Sequence, residues 1–161
     1  MMILDLGCGT GLGSQFYRPY AKLLVGVDVS SKMLQKASEK NIYDELTVFD
    51  ILQDWEFSQP FDLIYSCDVF VYFGNLDPII RSASSCLVHG GIIAVSVEKL
   101  EDNSTGYRLF PSGRYAHTQA YVDNCLKHHG LEPVAVTESV IRKQSGDEVK
   151  GLLIVAIKGE K

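Results

Sequence analysis

No stretch of this 161-residue chain approaches the roughly 20 consecutive apolar residues that a membrane-crossing helix needs. No CxxC pair occurs among the four cysteines, Cys8, Cys67, Cys86 and Cys125, so neither a metal site nor a redox motif is expected. Basic residues are in deficit. Fifteen Lys and Arg against 20 Asp and Glu give a net charge of −5, which argues against a nucleic-acid partner, whose phosphates need a basic face. Internal repeats and linkers are absent, so residues 1–161 read as one domain. The opening residues reach Asp5 with no basic segment, unlike a signal peptide, and scattered thiols fit a reducing cytoplasm.

What is present is ordinary for a globular protein: 46% hydrophobic and 22% charged residues. Short apolar runs at 2–6, 23–27, 46–49, 61–65 and 92–97 have the look of buried parallel strands. Helical spacing falls between them. Met33, Leu34 and Ala37 share one face of a predicted helix at 31–40. Asp77-Pro78 predicts a capped helix start, Ile79, Ile80, Ala83 and Leu87 its buried face, and Gly90-Gly91 its stop. A last helix is predicted over 118–129. Two further runs, 134–141 and 152–157, flank a turn at Ser145-Gly146-Asp147 and predict a β-hairpin. The expected fold is therefore α/β, a seven-stranded, mostly parallel sheet closed by an antiparallel edge hairpin. Residues 98–116 lack periodicity and predict a long loop over the carboxyl edge of the sheet.

The most informative stretch is Asp5-Leu6-Gly7-Cys8-Gly9-Thr10-Gly11, between the first strand and a helix predicted from about Leu12. Glycines there let a ligand approach bare backbone, and a helix N-terminus offers N–H groups to an anion. A dinucleotide fingerprint, GxGxxG, would need glycine at Leu12 or Ser14, so a nicotinamide-dependent oxidoreductase is disfavoured. Val25-Gly26-Val27-Asp28 then ends the second strand on a carboxylate that can accept two ribose hydroxyls.

The pattern acidic-x-Gly-x-Gly-x-Gly resembles the first motif of class I S-adenosylmethionine-dependent methyltransferases, a Rossmann-like fold. Ser30 to Leu34, Asp50-Ile51 and Phe61 to Asp68 match its later motifs. The nearest likeness is to predicted methyltransferases often fused to tetratricopeptide repeats, through Arg114-Tyr115-Ala116-His117 and Gly151-Leu152-Leu153. The resemblance implies S-adenosylmethionine as cofactor. It assigns Asp5, Gly7, Cys8, Gly9 and Gly11 to the methionine end and Asp28 with Val29 to the ribose. Asp50 with Ile51 falls to the adenine, and Ser66 to the end of the fourth strand. Asp54 can substitute for Asp50, and Trp55 flanks the adenine or is an edge residue. On the acceptor side stand Asp68, Tyr72, Tyr107, Arg114, Tyr115 and His117. Asp68, His117 and Tyr115 are the catalytic candidates; Asp68 can equally hold structure, and His117 can serve as base or as helix cap.

Methyl transfer from a sulfonium needs alignment more than a base, so no strong catalytic constellation is required. The acceptor is expected to be a small molecule or a protein side chain. Family members carry helices before the first strand, and this chain starts on that strand. That leaves room for self-association or a partner chain over the open side, and for a non-catalytic cofactor-binding subunit or truncated relic.

Overall fold

The computed structural model describes residues 1–101, 106–144 and 146–160. Residues 102–105 of the expected loop and Ser145 of the expected turn lie outside the described residues. The apolar runs form β1 (Met2–Leu6), β2 (Leu23–Asp28), β3 (Glu45–Val48), β4 (Phe61–Ser66) and β5 (Leu87–Lys99), lying parallel in the order β3-β2-β1-β4-β5. Ile3 and Leu4 of β1 and Leu24 of β2 have no exposed surface, as expected of central parallel strands covered on both faces. The order reverses between β1 and β4. Ligands bind at the carboxyl ends of the strands flanking such a reversal.

The hairpin is longer than its apolar runs suggested. β8 (Leu131–Gln144) pairs antiparallel with β9 (Asp147–Lys158), and β9 pairs antiparallel with β5. Two short strands, β6 (Tyr107–Leu109) and β7 (Tyr115–His117), lie in the region expected to be loop. Among the described residues the sheet therefore has nine strands, where apolar patterning counted seven. Strands of three residues are too short to show an alternating pattern. They form because β7 extends the ladder from Glu98 and Lys99 of β5.

Among the described residues four helices accompany the sheet: α1 (Ser14–Tyr17), α2 (Ser31–Ser38), α3 (Asp77–Cys86) and α4 (Gln119–His128). α1 starts two residues later than expected and has a single turn. Arg18-Pro19-Tyr20 converts the chain to a 3₁₀ turn, and so short a helix supplies no appreciable dipole for an anion. α2 ends at Ser38 rather than near Lys40. α3 stops at Cys86, so Leu87 belongs to β5 and Gly90-Gly91 lie within that strand beside a register shift. Asp77 does not cap α3. It lies inside the first turn, and its Oδ1 accepts a hydrogen bond from His129 Nε2 at 2.8 Å, tying α3 to the end of α4.

The main core lies between the sheet and α3 and α4, with Phe70, Leu76, Ile79, Ile80 and Val122 fully buried. Ser30 caps α2, and Thr118 caps α4 by accepting the Tyr121 N–H at 3.2 Å. Thr118→Ala is expected to cost about 1 kcal/mol, or about 2–4 °C in Tm, measurable by thermal denaturation. An unchanged Tm would mean that water replaces the cap. All four cysteines are free thiols. Among the described residues, no helix is long and apolar enough to cross a membrane.

Candidate active site

The loops that follow β1, β2 and β4 converge on a crevice with two lobes. The smaller, about 250 Å³, is mainly apolar and is lined by Leu6, Gly7, Val27, Asp28, Val29, Phe49, Asp50, Ile51, Val69, Tyr72 and Phe73. The larger, about 570 Å³, runs along the glycine loop past Asp5, Cys8, Gly9 and Thr10 to Tyr65, Cys67, Asp68 and Tyr72. Gly7, Asp28, Val69 and Tyr72 line both.

Three glycines of the loop, Gly7, Gly9 and Gly11, have φ of 75°, 54° and 72°, a left-handed conformation that side chains disfavour. Their surroundings differ. A Cβ at Gly7 would run into Val69, and one at Gly11 would meet the Tyr43 ring at 2.9 Å. At Gly9 it would meet nothing within 4 Å. Only Gly9 therefore leaves its backbone bare toward the crevice, while the other two bring protein close. Asp28 fixes this bend: Oδ2 accepts the Gly9 N–H at 2.9 Å, and Oδ1 accepts the Ser30 N–H at 2.8 Å.

Beneath the loop Asp5 is 4% exposed. Its Oδ2 accepts hydrogen bonds from the hydroxyls of Tyr43 and Tyr65, each at 2.6 Å. Burial pushes its carboxyl up to about 6, an effect the two tyrosine donors partly offset. Both tyrosine hydroxyls are driven well above their ordinary range, by burial first and by Asp5 second. Tyr43 reaches Asp5 across Gly26 of β2, where a Cβ would meet its ring at 2.7 Å. Burial also pushes the Cys8 thiol up to about 12, so it remains protonated and is no nucleophile.

The crevice brings together Asp5, Gly7, Cys8, Gly9, Asp28, Val29, Asp50, Ile51 and Asp68. Asp50 also accepts the Leu52 N–H at 2.9 Å, which shapes the turn beyond β3. Other sequence candidates lie apart. Ser66 is fully buried and donates to Leu6 O at 2.7 Å, so it joins β4 to β1 rather than lining the crevice. Trp55 packs against Phe49 and Phe57 and donates to Ile51 O at 3.0 Å. His117 is fully buried. Its Nε2 lies 2.9 Å and 3.1 Å from Phe73 O and Gly74 O, an arrangement in which this nitrogen carries the hydrogen. Burial lowers its pKa, and it lines neither lobe, so the fold does not offer it as a base. β7 turns it inward. Tyr115 stacks edge-on with Tyr107 at 6.1 Å and also lines neither lobe.

The family model for a methyltransferase domain matches residues 3–91, more than half of the chain. The chain belongs to this family. An uncharacterized methyltransferase of Schizosaccharomyces pombe is 33% identical over 146 residues, 81% of this chain and 48% of that protein, so this methyltransferase domain spans about half of its relative's length. Among solved structures, an S-adenosylmethionine-dependent methyltransferase from Methanosarcina mazei superposes with a TM-score of 0.78 at 18% identity, covering 99% of this chain and 93% of that one. Magnesium protoporphyrin IX methyltransferase from Synechocystis, solved with the cofactor bound, superposes with a TM-score of 0.74 at 18% identity over 99% and 70%. These likenesses show the Rossmann-like methyltransferase fold.

Sequence reading of the domain missed Tyr43 and Tyr65 as partners of Asp5, Phe49 and Phe73 in the apolar lobe, and Arg142, whose guanidinium reaches Asp68 from β8 at 3.0 Å. Aromatic residues and a strand arginine carry no local signature of such contacts.

Proposed function

We propose that this domain binds S-adenosylmethionine in the two-lobed crevice and transfers its methyl group to a small molecule or a protein side chain. The observation that carries the reading is Asp28, poised at the end of β2 where both lobes meet and bonded to the bare backbone of Gly9. In this reading its carboxylate accepts the ribose hydroxyls and the apolar lobe takes the adenine beside Asp50 and Ile51. The glycine loop and Asp5 take the amino-acid end. The cofactor brings its own leaving group; the chain binds, orients and excludes water. The bound cofactor in the Synechocystis neighbour supports the assignment. The likeness of Arg114 to His117 and of the hairpin to tetratricopeptide-fused predicted methyltransferases points to that subgroup, and a cytoplasmic setting suits the free thiols. Leu12 and Phe16, each 70% exposed, support a covering chain beside the glycine loop.

S-adenosylmethionine and S-adenosylhomocysteine are expected to raise Tm in a concentration-dependent manner, while NADH and ATP leave it unchanged. Stabilisation by NADH alone would overturn the cofactor assignment. Transfer of labelled methyl groups into cell extract tests turnover, and tight binding without transfer would favour a non-catalytic subunit.

A further inference from the structure

Asp68 lines the larger lobe, yet the cofactor reading gives it no task. Its φ is 57°, a left-handed backbone that a non-glycine residue adopts rarely and that tends to persist at functional sites. Two contacts hold it there. Its N–H donates to Ser96 Oγ at 2.8 Å, and its Oδ1 accepts from Arg142 Nη1 at 3.0 Å. Arg142 Nη2 donates to Glu98, so one guanidinium ties the end of β4 to β5. The Arg142 side chain is 12% exposed and that of Asp68 49%. The clamp is thus sealed behind the wall, and the carboxylate it holds stands half open.

Arg142 reaches this place through an irregularity. The register of β8 against β9 shifts between Val140 and Arg142, and such bulges re-aim the side chain that follows. Ile141, the residue passed over, packs where Gly151 of β9 has no side chain; a Cβ there would collide with it. The ionisable carboxylates that line the lobe meet a cation, Arg142, from behind the wall at Asp68. Asp5, Asp28 and Asp68 line it, and no Lys, Arg or His does so among the described residues. Arg114 does not line the lobe but lies over the ring of Tyr72, 5.9 Å from its centre, close enough for its charge to act on Asp68.

Resting on the cofactor reading, we propose that Arg142 is a positioning residue that holds the Asp68 carboxylate as one wall of an acceptor subsite for an amine. The amine, bound neutral, donates an N–H to Asp68 and attacks the methyl carbon with its lone pair. The new N–C bond forms as the C–S bond breaks, with that bond's electron pair remaining on sulfur. The alkylammonium product keeps its hydrogen bond to Asp68 and passes a proton to water.

Sinefungin, an adenosyl analogue with a primary ammonium in place of the S-methyl group, probes this wall without knowledge of the acceptor. In calorimetry the unaltered domain is expected to bind it about tenfold or more tightly than S-adenosylhomocysteine. Asp68→Asn should abolish that preference, Arg142→Met should reduce it, and Arg142→Lys should restore part of it. S-adenosylhomocysteine affinity, which also reports folding, should hold in both Arg142 variants and is the reference against which the preference of Asp68→Asn is read. Sinefungin preference that survives Asp68→Asn, or is absent from the unaltered domain, would overturn the amine subsite while the cofactor reading stands. Failure of both ligands to bind would remove that reading and this inference together.

Discussion

Asp28→Ala is expected to weaken S-adenosylhomocysteine binding by at least tenfold and to destabilise the free domain as well. The carboxylate serves two backbone donors at once, Gly9 N–H at 2.9 Å and Ser30 N–H at 2.8 Å. A hydrogen bond to a charged group contributes about 1.5–3 kcal/mol, so loss of the pair amounts to at least about 3 kcal/mol before any ligand is considered. Ribose hydroxyls add to this in the bound state. Asp28→Asn retains one acceptor but turns an amide N–H₂ toward a backbone donor, so it should resemble the alanine variant. Calorimetric affinity and denaturant titration check both effects. An unchanged dissociation constant would remove Asp28 from the site, and an unchanged midpoint would show that the loop holds without it.

Asp5 should give the domain an uncommon pH dependence. Its folded-state pKa, about 6, lies above the ordinary 3.8, so the native chain holds this proton more tightly than the unfolded one. The stability it contributes is complete below about pH 4 and is lost as pH rises through 6. A difference of about two units corresponds to about 3 kcal/mol. Asp44 and Glu138, held below their ordinary ranges by Arg18 and Lys99 respectively, act in the opposite sense, so the bare profile mixes signs. Comparison with Asp5→Asn isolates the one carboxyl. Denaturant titrations at several pH values should show the stability gap between the two proteins changing by about 3 kcal/mol between pH 4 and 8. A gap independent of pH would mean that Asp5 titrates normally.

The parts of this domain legible in the sequence are those written in neighbouring residues. A buried run, three spaced glycines and an acidic strand end suffice for β1, its loop and Asp28, because each depends on local conformation and on one adjacent strand. The hairpin was legible for the same reason. What failed was decided by distant partners. Asp77-Pro78 has the form of a cap, but His129, 52 residues away, takes the carboxylate. Gly90-Gly91 has the form of a helix stop, but β4 and β9 draw the segment into the sheet. Asp5 meets its two tyrosines across 38 and 60 residues, and Asp68 meets Arg142 across 74. His117 suggested a base or a helix cap by its side-chain chemistry, while the fold places it, fully buried, against Phe73 O and Gly74 O.

Gly26 touches no part of the crevice, yet the missing side chain there is what admits the phenol of Tyr43 to Asp5. Any larger residue would evict the ring, strip the carboxylate of one donor and let its affinity for protons climb further. A position one strand away, invisible to the ligand, thereby sets how far the pH must rise before the innermost carboxyl of this domain surrenders its proton.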